Sequence, residues 1–91
     1  MRPTARSPVA DWRWSCDPDG LLDDLSTGVR AEVEHLASEI TVRDSMVYLD
    51  GAAYTGTGPG LRTESRGRLM LTYLTDIRGE QIVIVQVTCF D

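Results

Sequence analysis

Three arginines within one short segment are the residues best suited to chemistry: Arg62, Arg66 and Arg68. A planar guanidinium can donate hydrogen bonds to two phosphate oxygens at once, so grouped arginines suit a site that stabilises the charge of a phosphorane. The three side chains can converge if Arg62 and Arg68 stand on neighbouring strands, with Arg66 in the turn between them. A solvated turn that carries three ordinary arginines is the alternative interpretation.

Three tyrosines are candidates for contacts with the bases of a nucleic acid: Tyr48, Tyr54 and Tyr73. Aromatic side chains stack on bases with little regard to base sequence. Tyr48 and Tyr54 lie near a glycine-rich segment and could equally pack on a sheet edge. Tyr73 falls in a predicted strand and could equally point into the core.

Cleavage of RNA by attack of the 2′-hydroxyl also needs a base and an acid. His35 is the only histidine, and it falls on a predicted helix one position before the apolar residue Leu36. This position indicates a surface or boundary histidine, so the base and the acid stay unassigned. Cys16 and Cys89 lie at opposite ends of the chain, which argues against a zinc site. We expect two free thiols, no metal and no cofactor.

The overall charge argues against general binding of nucleic acid. The 91 residues include nine arginines, fourteen acidic residues and no lysine, for a net charge of −5. Neutralisation of phosphates supplies most of the affinity of non-specific binders, so contact with RNA would depend on a local arginine cluster. No unbroken apolar run exceeds four residues, against about 20 for a membrane span. We expect a cytoplasmic protein without a membrane partner.

The spacing of apolar residues predicts the first elements. Trp12, Trp14 and Cys16 alternate with polar residues, which is typical of a half-buried strand over 11–16. From Leu22 to Ile40 the apolar positions step by three or four, which predicts helices. Ser26 and Thr27 are favourable helix starts and Gly28 weakens a helix interior. We therefore predict two helices, at about 18–25 and 27–40, or one bent helix.

The second half of the chain predicts an antiparallel sheet. A short strand could form at Met46–Leu49, before the glycine-rich loop Thr55–Gly60. An edge strand is expected at Leu61–Glu64 and another strand at Leu69–Leu74. The β-branched segment 81–90 predicts a central strand that is buried on both faces.

Two further expectations complete the predicted fold. Gly79 lies in the hairpin turn before the last strand and is free to adopt a positive φ. Residues 1–10 are expected to be a flexible tail and residues 11–91 a single α+β domain. Its order is an N-terminal strand, two helices and an antiparallel meander packed on the helices.

This order of elements, together with two local motifs, resembles the RelE/ParE family of toxins from type II toxin–antitoxin systems. Residues 29–37 look like the second helix of that family, and residues 67–73 are similar to its strand with an arginine, an apolar pair and a tyrosine. Arg62 sits where the family usually carries another basic residue. The resemblance covers roughly residues 11–91 and implies an antiparallel sheet packed on two helices.

The resemblance implies one of two activities. The RelE branch cleaves messenger RNA in the ribosome, and the ParE branch poisons DNA gyrase. An antitoxin segment that wraps the toxin normally holds both inactive. The first hypothesis is a toxin-like endoribonuclease with the three arginines as catalytic residues and the three tyrosines as substrate contacts. Its partners would be a cognate antitoxin, the ribosome and messenger RNA. The alternatives are a family member that binds protein without catalysis, such as a gyrase inhibitor, or a homodimer joined through an edge strand.

Overall fold

The computed structural model of the chain describes residues 12–90. Its elements are strand β1 (Arg13–Cys16), helix α1 (Thr27–Val47), a 3₁₀ turn (Gly51–Ala53) and strands β2 (Leu61–Arg66), β3 (Leu69–Asp76) and β4 (Gln81–Cys89). The fold class is α+β. The predicted tail at residues 1–10 lies outside the described residues. Within residues 12–90, no helix is long and apolar enough to cross a membrane.

The four strands form a mixed sheet in the order β1-β4-β3-β2, with β2 at one edge. Strands β2, β3 and β4 are an antiparallel meander, whereas β1 pairs in parallel with β4. Gly67 has a φ of 58°, which allows β2 to turn into β3 through two residues. In β4, Ile84 pairs with Tyr73 while Gln86 pairs with Thr72, so Val85 is the extra residue of a β-bulge.

The core lies between α1 and one face of the sheet. Helical spacing of three and four places one apolar stripe of α1 against alternate residues of β3 and β4. The fully buried apolar members are Val33, Leu36, Ala37 and Ile40 from the helix, Leu69, Leu71 and Tyr73 from β3, and Ile82 and Ile84 from β4. Full burial of one such large side chain is worth about 1.5–3 kcal/mol.

Residues 17–25 form turns and not the first of two predicted helices. The N–H groups of Leu21, Asp23 and Leu25 each donate to a carbonyl only three positions earlier. The segment is rich in aspartate, which competes for backbone hydrogen bonds and weakens a helix. Leu22 is nevertheless buried and Leu25 half-buried against the core. The apolar spacing therefore identified core contacts correctly but not their secondary structure.

Helix α1 begins next to a favourable cap and ends later than predicted. The side chain of Ser26 accepts a hydrogen bond from the N–H of Val29 at 3.3 Å. The helix then continues beyond Ile40 to Val47. The strand predicted at Met46–Leu49 is therefore wrong.

The inner face of the helix extension is polar. Thr41, Asp44 and Ser45 are buried there. The hydroxyls of Thr41 and Ser45 donate to backbone carbonyls of the same helix at 2.7 Å. Each buried hydroxyl therefore has a hydrogen-bond partner within the helix. Such a face carries no apolar periodicity, and the helix was therefore predicted to end at the last residue of the apolar stripe, Ile40.

Strand β4 lies between β1 and β3, but it is buried on only one face. Ile82 and Ile84 are fully buried, whereas Val83 and Val85 are half-buried. The prediction of burial on both faces is wrong because α1 covers one side of the sheet only. In the turn before β4 the positive φ, 53°, belongs to Glu80 and not to Gly79.

Candidate functional site

The three predicted arginines all face α1, yet each binds a different carboxylate. Arg62 donates to Asp44 at 2.6 Å, Arg66 to Glu39 at 2.5 and 2.6 Å, and Arg68 to Glu32 at 3.0 Å. The first and last of these carboxylates are twelve residues apart, or about 18 Å along a helix. The arginines thus form a ladder along the helix and do not converge on one point.

The register of β2 explains why these side chains reach the helix. Arg62 lies opposite Tyr73, and Arg66 lies opposite Leu69. Both partners are buried under α1, and side chains directly opposite each other share a face of the sheet. Arginines on this edge strand therefore extend towards the flank of the helix, where its carboxylates stand.

The contact of Arg62 is the buried end of the ladder. Asp44 is 1% exposed, and its Oδ2 also accepts a hydrogen bond from Thr75 Oγ1 at 2.7 Å. The guanidinium carbon of Arg62 lies 5.1 Å from the ring centre of Tyr73. We call Asp44, Arg62, Tyr73 and Thr75 the buried ion cluster. A buried carboxylate without its counter-ion is strongly destabilising, so the arginine of this cluster holds the fold together.

Tyr73 belongs to the core and does not present its ring to a ligand. The residue is 1% exposed, and its hydroxyl accepts a hydrogen bond from Arg43 Nη2 at 2.8 Å. Burial raises the pKa of this tyrosine above its ordinary value. The prediction that Tyr73 contacts substrate would require the core to open.

The other two arginines lie at the exposed end of the ladder. The side chains of Arg66 and Glu39 are 51% and 41% exposed, and those of Arg68 and Glu32 are 49% and 46% exposed. Glu39 Oε2 also lies 2.7 Å from His35 Nε2. The hydrogen bond from Arg66 lowers the pKa of Glu39, and the same contact raises the pKa of Arg66. We call Glu32, His35, Glu39, Arg66 and Arg68 the hairpin cluster.

The hairpin cluster borders a cavity of about 260 Å³ between α1 and the start of β3. Three charged or polar side chains stand around it: Glu32, His35 and Arg66. The apolar lining is Ala31, Leu36 and Leu69. The arrangement combines two guanidinium groups, an imidazole and carboxylates next to a surface that can receive a flat apolar group.

Sequence reasoning placed His35 at the helix surface and did not connect it with the arginines. It is 74% exposed, so the surface assignment is confirmed, but it also stands beside Arg66. The available signal was its spacing, since Glu32 and Glu39 lie one turn away on either side. Those carboxylates hold the arginines, and this longer-range contact was not visible in the local pattern.

Tyr48 and Tyr54 lie outside the lining of this cavity. Their rings meet edge to face with centres 5.6 Å apart. The hydroxyl of Tyr54 donates to the carbonyl of Thr57 at 3.1 Å. Tyr54 thus packs against the glycine-rich loop and Tyr48 against the core.

The described residues contain no cluster of metal ligands, and the Cys16 thiol is held unreactive by burial. Within 12–90 no group of three or more potential ligands is placed to hold a metal ion. Cys16 and Cys89 are free thiols. Burial raises the pKa of Cys16, which makes it a poor nucleophile.

No family model, no curated protein and no solved structure matches the chain. The resemblance to the RelE/ParE toxins therefore stays a prediction. The geometry of the hairpin cluster is the basis on which a function can be argued.

Proposed function

We propose that the chain is a toxin-like endoribonuclease that cuts messenger RNA at the hairpin cluster. The observation that carries the proposal is the cavity bordered by Glu32, His35 and Arg66, with Arg68 bound to Glu32 at its rim. Attack by a 2′-hydroxyl needs a proton acceptor, a proton donor and cations near the phosphate. The cluster contains a group of each kind.

The ion pairs of the hairpin cluster do not prevent its arginines from binding phosphate. Both pairs are about half exposed, and pairs of this kind contribute little to stability because water solvates their partners almost as well. A phosphate can accept two hydrogen bonds from one guanidinium. An incoming phosphate can therefore replace Glu39 at Arg66 and Glu32 at Arg68.

Arg62 is removed from the predicted catalytic group. Its release would leave Asp44, which is 1% exposed, with only the more distant guanidinium of Arg43, whose Nε lies 3.6 Å from Asp44 Oδ1. The free energy required to bury a carboxylate without its hydrogen-bonded counter-ion is several kcal/mol. Substrate binding at an exposed cavity does not offset such a loss of stability. Arg62 therefore stabilises the folded protein and does not bind the phosphate.

In the proposed reaction, Glu32, once released from Arg68, takes the proton of the 2′-hydroxyl. The 2′-oxygen forms a bond to phosphorus, and the bond between phosphorus and the 5′-oxygen breaks. Protonated His35 donates its proton to that leaving oxygen. Arg66 and Arg68 stabilise the negative charge of the phosphorane. The products are a 2′,3′-cyclic phosphate and a free 5′-hydroxyl.

The net charge of −5 determines how the substrate must arrive. An acidic chain has no general attraction for RNA, so contact is confined to the hairpin cluster and its apolar cavity. We expect the ribosome to present the message, in keeping with the family that the sequence resembles. Free RNA should be a poor substrate.

A translating extract with a defined message tests this proposal. We expect the purified chain to cut the message, and we expect Arg66→Ala and His35→Gln each to lower the cleavage rate by roughly a hundredfold or more. Arg30→Ala is the matched control, because Arg30 is 48% exposed and pairs with Glu34 on the same helix but does not line the cavity. Its cleavage rate should equal that of the parent. An intact message with the folded parent, or equal cleavage by Arg66→Ala, would contradict the proposal.

A second candidate is a family member that binds protein without catalysis, and the β2 edge favours it. This strand is outermost in the sheet, and Leu61 at its start is 64% exposed. An edge strand can accept a strand from a partner, such as an antitoxin segment or DNA gyrase. Inhibition of gyrase supercoiling with an intact message, lost in Leu61→Glu, would support this candidate over the first.

A further inference from the structure

A second cavity of about 260 Å³ lies where the glycine-rich loop meets the sheet. Leu74 and Val83, which pair across β3 and β4, form part of its apolar wall together with Ile77. Tyr54 and the loop residues Gly56 and Gly58 also line it. The function proposed above does not use this cavity.

The loop wall depends on a glycine. The Tyr54 ring folds over Gly56, where a Cβ atom would lie 2.5 Å from the tyrosine hydroxyl. The same hydroxyl donates to Thr57, and the ring rests edge-on against Tyr48. These contacts hold Tyr54 as a fixed side of the cavity. A Cβ atom at Gly58, by contrast, meets nothing within 4 Å.

Two opposite charges stand in the lining of this cavity. Arg78 has no hydrogen-bonding or ion-pair partner for its guanidinium within residues 12–90, in contrast to the arginines of the ladder. Asp76 is held in place, since its Oδ1 accepts from the N–H of Gly79 and its Oδ2 from Gln81 Nε2, both at 3.1 Å. Each carboxylate oxygen can accept a further hydrogen bond.

We propose that this cavity binds a small zwitterion with an apolar side chain, such as a free aromatic or branched amino acid. Its carboxylate would bind Arg78, its ammonium group Asp76, and its side chain would lie against Leu74 and Val83. A simple anion would be repelled by the carboxylate of Asp76, and a simple cation would be repelled by the guanidinium of Arg78. A molecule that carries both charges avoids either repulsion. The cavity volume of about 260 Å³ lies below the roughly 300–1,000 Å³ of pockets for drug-sized ligands, which suits a ligand of this size.

Amide NMR titration of the full chain with three related compounds tests the charge requirement. Phenylalanine carries both charges, N-acetylphenylalanine only the carboxylate and phenylalanine amide only the ammonium group. We expect phenylalanine to bind most tightly and to shift the amide signals of Leu74, Asp76, Arg78 and Val83. Equal affinity for the three compounds, or shifts confined to the hairpin cluster, would overturn the proposal.

Variants at the two charges make the test specific. Arg78→Gln should weaken phenylalanine binding roughly tenfold or more, whereas phenylalanine amide should bind at least as tightly as it does to the parent, because the repulsion by Arg78 is removed. Asp76→Asn keeps an acceptor for Gly79 and should weaken phenylalanine and its amide by a similar factor, but not N-acetylphenylalanine. Arg13→Gln is the matched control, since Arg13 also lacks a side-chain partner within the described residues and does not line the cavity. The same effect from Arg13→Gln and Arg78→Gln would reject the site.

The two loop glycines supply an independent pair. Gly56→Ala should displace Tyr54 and weaken phenylalanine binding, whereas Gly58→Ala should bind as the parent does. Tight binding by Gly56→Ala would show that the loop wall is not part of the site. Messenger RNA cleavage should be unchanged in both variants, so failure here is distinguishable from failure of the proposed ribonuclease.

Discussion

The two ends of the contact between α1 and the β2–β3 hairpin have the same chemistry in opposite surroundings. At one end Arg62 binds Asp44, whose side chain is 2% exposed. At the other end Arg66 binds Glu39 with both side chains about half exposed. Burial makes the first contact a condition of folding, because the Asp44 carboxylate cannot be left without it in the core, although the Arg62 side chain is itself 31% exposed. Exposure leaves the second contact free to exchange its carboxylate for a ligand.

Breaking the buried ion pair between Arg62 and Asp44 should lower the stability of the protein more than any other change considered. Arg62→Met keeps much of the apolar stem but removes the hydrogen-bonded counter-ion of the buried Asp44 carboxylate, which Arg43 Nε approaches only to 3.6 Å. We expect a loss of about 3–5 kcal/mol in the free energy of unfolding, measured with urea at neutral pH. Arg66→Ala is the control from the exposed end and should unfold nearly as the parent does.

A double variant sharpens this result. Adding Asp44→Leu to Arg62→Met replaces both charges with apolar groups and should recover much of the lost stability. Equal losses in the free energy of unfolding for Arg62→Met and Arg66→Ala would show that burial does not make the Arg62 contact more important for stability than the Arg66 contact.

A smaller effect is expected at the rim of the buried ion cluster. Tyr73→Phe keeps the packed ring and removes the hydroxyl that accepts a hydrogen bond from Arg43 at 2.8 Å. Because the Arg43 side chain is 44% exposed and can turn to water, we expect a loss of about 1 kcal/mol. Tyr54→Phe is the matched control on the loop, and its urea-unfolding free energy should change less. A larger loss for Tyr54→Phe would contradict this assignment.

Alkaline pH should affect the same tyrosine. Burial raises the pKa of Tyr73 above the ordinary value of 10.0. Once the pH passes that value, the unfolded chain releases this proton while the folded chain retains it, so stability falls as pH rises. This contribution is fully present below about pH 10 and is lost as the pH rises through the folded pKa. Tyr73→Phe should show a shallower decline in unfolding free energy, and equal slopes would exclude the raised pKa.

The smallest effect on stability is expected at Glu39. The hydrogen bond from Arg66 lowers the pKa of this carboxyl, so its contribution is present above the unfolded pKa and disappears as pH falls. Glu39→Gln should have nearly the melting temperature of the parent at neutral pH, and the remaining difference should vanish in acid. A drop like that of Arg62→Met would show that the exposed end is also structural.

The meander could be predicted from sequence because its signals are local. Gly67 marks the tight turn, and the β-branched run from Ile82 to Val85 marks a strand that lies inside the sheet. That this strand is buried on only one face, and not on both, could not be predicted in the same way. It depends on how many helices form, and the aspartate-rich segment 17–25 forms turns instead of a helix.

The sequence could not show that Arg62 is structural while Arg66 and Arg68 are exposed, because this difference depends on contacts between positions far apart in the chain. Asp44 and Arg62 are 18 positions apart. They meet only because α1 continues past Ile40, which apolar spacing did not indicate. His35 was judged from its own helix alone, whereas its relation to Arg66 appears only when the hairpin lies beside that helix.

The direct test of a catalytic role for the exposed arginines is message cleavage by Arg66→Ala, measured beside the parent in a translating extract at a temperature where both are folded. We expect the parent to cut the message and the variant, although nearly as stable, to leave it intact. A parent that leaves the message intact, or a variant that cuts as well as the parent, would contradict that role.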